Sequence, residues 1–64
     1  MLYVLLNEQT GNYFKKEISN NLEGRCVDVS TIEEARTFDS YQAAVRKSQF
    51  IGGMKYSYKV IEKH

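Results

Sequence analysis

The sequence predicts an α+β fold of two layers, in which an antiparallel sheet of three to four strands carries one main helix on one face. An N-terminal hairpin and a C-terminal strand are expected to make the sheet. Three features point there. A short apolar run, "LYVLL", is separated by turn-forming residues from a second β-rich run, "YFKKEI". The segment "KYSYKVIE" alternates strictly between its two sides. Only one stretch, from Ser40 to Ile51, places apolar residues at helical spacing and then meets two glycines. The chain has 64 residues and is read as a single domain, 1–64.

Each element has a local cause. Residues 2–6 form an unbroken apolar run with β-branched and aromatic members, which suits a strand covered on both faces or central in a sheet. Residues 7–12, "NEQTGN", read as a turn, because Asn7, Thr10, Gly11 and Asn12 tolerate tight or left-handed backbone. Residues 13–18 are expected to place Phe14, Lys16 and Ile18 on one side and Tyr13, Lys15 and Glu17 on the other, giving a hairpin with a loop of five or six residues. "SNNLEG", 19–24, reads as loop. Residues 25–29 alternate Val27 and Val29 against Cys26 and Asp28, as a half-buried strand does.

Two capping-box spacings follow. Ser30 with Glu33 predicts a helical turn ending near Ala35, and Asp39 with Gln42 predicts the start of the main helix. Between them, Thr37 and Phe38 favour extended backbone, so "ARTFDSYQAA" reads as a strand-to-helix joint with Phe38 entering the core. Tyr41, Ala44, Val45, Ser48 and Ile51 trace the packed face of the helix, with Ser48 interrupting it; Arg46, Lys47 and Gln49 lie on the wet side. Gly52 and Gly53 end the helix, one of them in a left-handed C′ conformation. Residues 55–62 form the last strand, with Tyr56, Tyr58 and Val60 on one face. It is expected to pair with the first strand.

Composition narrows function. Nine Lys and Arg against eight Asp and Glu give a net charge of +1, without the basic excess of most phosphate binders. The single cysteine, Cys26, permits no intrachain disulfide, and the single histidine is the terminal His64. Cys26 reads as a small strand-borne filler, and no metal or other cofactor is expected. The adjacent Glu33 and Glu34 point apart on a helix and read as a solvated first turn. No glycine-rich phosphate loop is present. The expectation is a non-enzyme without catalytic residues. No signal peptide and no long apolar run are visible, so a cytoplasmic location is expected.

Binding classes remain. Rings beside cations at Tyr13, Phe14, Lys15 and Lys16, and again at Lys55, Tyr56, Tyr58 and Lys59, resemble the mixture that single-strand binders use. That mixture would be displayed if strands one and four were central and strand two lay at an edge. Against it, Tyr56 and Tyr58 sit on the face expected under the helix. The candidate binding surface comprises Tyr13, Lys15, Lys16, Arg46 and Lys47. Alternatively, the sheet face opposite the helix, with Tyr3, Leu5, Tyr13 and Ile61 on it, could meet a protein partner or a second copy in a homodimer. An edge strand could also add to another sheet.

The segment "EEARTFDSYQAA" resembles the small early or accessory proteins carried by phages and prophages of Gram-positive bacteria. Many of these begin with a hydrophobic strand and a "GNYFKK"-like arm, continue through A-x-x-F-x-S-x-x-x-A, here Ala35, Phe38, Ser40 and Ala44, and finish on a "YKVIE"-like strand. The resemblance spans nearly the whole chain and brings no catalytic residues. It implies a protein that binds and modulates a host protein, including inhibitors of defence complexes of the anti-CRISPR type, acting in the host cytoplasm. Acidic inhibitors of that type mimic DNA, and this chain is not acidic. Nucleic acid is the less favoured partner, and no membrane partner is expected.

Overall fold

The computed structural model describes residues 1–17, 26–52 and 58–63. They form strands β1 (Leu2–Asn7), β2 (Tyr13–Glu17) and β3 (Cys26–Val29), a 3-10 turn (Ile32–Glu34), helix α1 (Tyr41–Gly52) and strand β4 (Tyr58–Lys63). The strands make one antiparallel sheet in the order β3-β2-β1-β4, and α1 packs over β1 and β4. This is the small α+β fold that the sequence predicts. The expected loop at 19–24, strand positions 55–57, and the assignments of Ile18, Arg25, Gly53 and His64 lie outside the described residues. Among the described residues no helix is long and apolar enough to cross a membrane.

β1 owes its central place to its composition. Val4 and Leu5 are adjacent, so they point to opposite faces, yet both are 0% exposed. The strand is covered on both sides, as its unbroken apolar run requires. Its pairing with β4 is continuous, from Leu2 opposite Lys63 to Asn7 opposite Tyr58. Register then assigns the faces. Leu5 opposes Val60 and Asn7 opposes Tyr58 on the helix side, whereas Val4 opposes Ile61 on the other. Tyr3 and Leu5 therefore lie under the helix, not on the open face expected for them, because alternation ties them to the Tyr58–Val60 side. Tyr13 and Ile61 do face away from it, with Val4, Leu6, Val27 and Val29. Strand two is internal; β3 and β4 are the edges, so the arrangement with strand two at an edge does not occur.

The hairpin loop is organised by Asn7. Its carbonyl accepts from the amides of Thr10 (3.3 Å) and Gly11 (2.8 Å), and its side-chain oxygen accepts from the Gln9 amide (3.0 Å). Gly11 takes φ 79°, the left-handed region that glycine enters without steric cost. Beyond the loop, β1 and β2 pair at Leu6–Tyr13 and then diverge. The extended strip 36–38 fills the opening. Phe38 and Tyr3 exchange two backbone hydrogen bonds of 2.8 Å each, and the Arg36 amide donates to the Phe14 carbonyl at 3.0 Å. Phe38 accordingly enters the core with Leu5, Phe14, Ala44 and Ile51.

Three local readings need correction. A bulge between Phe14 and Lys16 leaves Lys15 as the extra residue, which resets alternation and turns Glu17 to the helix side with Phe14. The turn at 32–34 starts after Thr31, with no side-chain cap bond, so the Ser30–Glu33 capping box does not form. The cap of α1 is Ser40, whose hydroxyl accepts from the Ala43 amide at 3.1 Å, and not Asp39. One residue of shift places the hydroxyl three residues before a free amide, the reach that a short side chain satisfies. Tyr41 is 57% exposed and belongs to the rim of the packed face, its ring edge-on to Tyr3 at 5.8 Å.

Ser40→Ala should cost about 1 kcal/mol, lowering Tm by roughly 4–8 °C in a chain of this size. Asp39→Ala should cost well under that; equal losses in thermal melts would restore Asp39 as the cap. Phe38→Ala should cost about 3–5 kcal/mol, against a total of roughly 3–10 kcal/mol at about 0.05–0.15 kcal/mol per residue. Urea titration of that variant should show a transition moved to very low urea or none.

Candidate functional site

Two side-chain constellations stand out among the described residues, one closed on itself and one open to solvent. The closed one joins the edge strands. Both oxygens of the Asp28 carboxylate are used: Asn7 Nδ2 donates to Oδ2 at 3.0 Å and the Tyr58 hydroxyl donates to Oδ1 at 2.8 Å. Asn7 is 2% exposed, and the Tyr58 ring packs edge-on against Phe14 at 5.8 Å. A residue of β4 thus reaches one of β3 across the sheet, curling it under the helix. Cys26 sits at the same place, half-buried against the core.

Burial, followed by the hydrogen bond to Asp28 and the charge of that carboxylate, raises the Tyr58 hydroxyl far above its ordinary pKa of 10.0. Burial is also the main cause raising the Cys26 thiol above its ordinary 9.0, with the Tyr58 hydroxyl pulling the other way. A thiol shifted upwards carries less thiolate at neutral pH, which is the reverse of what a nucleophile needs. The cluster is a clasp. Among the described residues no three His, Cys, Asp or Glu side chains gather as a metal site.

The open constellation is a groove of about 500 Å³ lined by Arg36, Phe38, Ala43, Arg46 and Lys47. Its position follows from the fold. Because α1 lies over β1 and β4, its flank towards the strip 36–38 has no second helix against it among the described residues. Ala43, Arg46 and Lys47 share that flank at i, i+3 and i+4. Arg36 and Phe38 are two apart on extended backbone and share a side, so the Arg36 guanidinium stands over the Phe38 ring, 5.3 Å from its centroid. Such stacking both stabilises the cation and orients its donors. Lys47 Nζ pairs with the Glu17 carboxylate. Among the described residues neither Arg36 nor Arg46 has a carboxylate partner, and both are exposed. Arg46 also borders a smaller hollow of about 290 Å³ with Tyr41, Gln42 and Val45.

The five residues singled out from the sequence are divided by this geometry. Arg46 and Lys47 line the groove. Lys15, at the bulge, donates to the Glu34 carbonyl at 3.1 Å beside the 3-10 turn. Tyr13 and Lys16 oppose Val29 and Val27 on the sheet face away from the helix. Sequence reasoning missed Arg36 and Phe38. Their signal was an i, i+2 cation–ring pair on a segment read as extended. No family model, no curated protein sequence and no solved structure matches the chain.

Both raised groups hold their protons more tightly in the folded chain than in the unfolded one. Their contribution to stability is whole below the unfolded values and is lost as pH rises through the folded ones. Tm should therefore be level near neutrality and fall from about pH 9 upward, Cys26 acting first and Tyr58 above about pH 10. Tyr58→Phe should destabilise the fold at pH 7 by about 1.5–3 kcal/mol, the range for a hydrogen bond to a charged group, lower Tm accordingly and flatten the alkaline fall. A variant that keeps the full slope between pH 9.5 and 11 in circular-dichroism melts would remove Tyr58 from this account.

Proposed function

We propose that this chain is a non-enzymatic phage or prophage protein that binds a host protein and modulates it, using the groove of Arg36, Phe38, Ala43 and Arg46. The observation that carries this reading is the pairing of two exposed, carboxylate-free guanidiniums with an apolar floor. Arginine beside packed aromatic and aliphatic surface is the composition found where binding energy concentrates in protein interfaces. The clasp at Asp28 has its hydrogen-bonding capacity turned inward, whereas the groove keeps the donors of two exposed guanidiniums. The resemblance to phage early proteins supplies the biological setting and suggests a host defence complex, of the CRISPR–Cas kind, as the target.

The edge strand β4 carries Lys59, Glu62 and Lys63, and charge along an edge discourages strand addition. The groove is therefore favoured over strand addition at β4 as the contact. The test is capture of partners from a Gram-positive host lysate on immobilised wild-type chain and on the Arg36→Glu/Arg46→Glu double variant, followed by titration of the purified partner. The wild type should retain one stoichiometric protein, and the double variant should bind it at least about tenfold more weakly, a loss of about 1.4 kcal/mol. Capture of nothing specific, or equal binding by both chains, would refute the reading.

A further inference from the structure

The chemistry of the groove narrows the kind of partner, on the premise that it is the binding site proposed above. We propose that it takes an acidic peptide segment, one carboxylate clasped between Arg36 and Arg46 and a neighbouring apolar side chain resting on Phe38 and Ala43. A guanidinium offers a planar fork of donors that matches a carboxylate. Here two such forks border one depression, one from the strip and one from the helix. Between them the floor is aromatic and aliphatic, so a ligand made only of charge would leave it uncovered. A volume of about 500 Å³ lies within the range of sites that hold compact ligands, roughly 300–1,000 Å³.

Phosphate-backbone chemistry fits less well. Tracking a nucleic-acid strand needs a run of cations and free ring faces for stacking. Of the groove's three cations, Lys47 is joined to Glu17. Phe38 is only 8% exposed with Arg36 over its ring, so it offers the groove a margin on which an aliphatic group can rest but no free face on which a base can stack. Lys15 is held beside the exposed pair Glu33 and Glu34, and Lys16 and Tyr13 face the other way. The cationic surface of the groove is thus two guanidiniums lining one depression, with Lys47 held by Glu17, which suits one carboxylate rather than a polyanion.

The experiment is a two-dimensional NMR titration of the isotope-labelled chain with a blocked hexapeptide of alternating glutamate and leucine. The same titration is run with its glutamine counterpart and with an oligothymidylate. The glutamate peptide should move the Nε–H signals of Arg36 and Arg46 and the amides of Phe38 and Ala43 together and saturably. Arg36→Ala and Arg46→Ala should each weaken it by about tenfold or more, and Arg46→Lys, which keeps the charge but not the fork, should weaken it as well. Both positions are exposed, so the variants should keep wild-type amide dispersion. Equal binding of the glutamine peptide, shifts confined to other surfaces, or no saturable shift would overturn the assignment. Tighter oligothymidylate binding through the same signals would overturn it in favour of nucleic acid. If the peptide fails while a captured host protein still requires Arg36 and Arg46, only the ligand class falls; if that requirement is lost too, the groove itself is abandoned.

Discussion

The hydrogen bonds that seat the strip 36–38 between β1 and β2 are the constraint on which the other features depend. A hairpin that diverges after Leu6–Tyr13 exposes backbone donors and acceptors on both inner edges, and unpaired groups there would be costly. Tyr3 and Phe14 are the residues whose backbones need partners, and Phe38 and Arg36 supply them. The strip is thereby fixed in direction. Ser40 follows two residues later and starts α1, so the helix leaves the strip at a set angle and places Ala43 and Arg46 beside Arg36 and Phe38. Core, helix orientation and groove descend from one insertion.

Side-chain electrostatics complete what the backbone begins. The helix covers only the β1–β4 half of the sheet, and two polar links draw in the other half. One is the Tyr58–Asp28–Asn7 clasp, which uses three side chains from three strands. The other is the Lys47–Glu17 pair from helix to β2. The clasp, the more buried of the two, relies on complete satisfaction of its partners, since a half-paired carboxylate there would be worse than none. The ion pair is partly exposed and contributes modestly to stability. Its larger effect is on the groove, where it engages Lys47 with a carboxylate and leaves the two arginines without one among the described residues.

Much of this fold was legible in the sequence because its strongest signals are short-range. The apolar run of β1, the alternation of β4 and the helical spacing from Ala44 to Ile51 each follow from burial alone, and they predicted the β1–β4 pairing and the entry of Phe38 into the core. The failures have one physical origin. Face assignment propagates along a strand two residues at a time, so the bulge at Lys15 reversed Glu17, and an untied register misplaced Tyr3 and Leu5. The misassigned caps are competitions between neighbouring polar residues, Ser40 against Asp39 and Thr31 against Ser30, settled by geometry that composition does not encode. Arg36 was overlooked for a related reason: its significance depends on what lies beneath it, and a cation over a ring is visible only once the strip is known to be extended and inserted.

A chain of 64 residues has little interior to give to a pocket, and the groove is a depression formed at the surface without one. Its floor is the outer side of the core itself, since Phe38 belongs to both. Its charged rim consists of exposed residues, one of which, Arg36, also stacks on the ring beneath it. Floor and rim are therefore under different demands: Phe38 and Ala43 are packed against the core, whereas Arg36 and Arg46 stand exposed at its edge. Two arginines flanking one apolar strip, with no acid in the described chain to occupy them, are expensive to ignore on those terms. Apart from the stack of Arg36 on Phe38 their guanidinium donors serve no partner among the described residues, and a carboxylate, as proposed above, would meet both at once over the apolar surface between them.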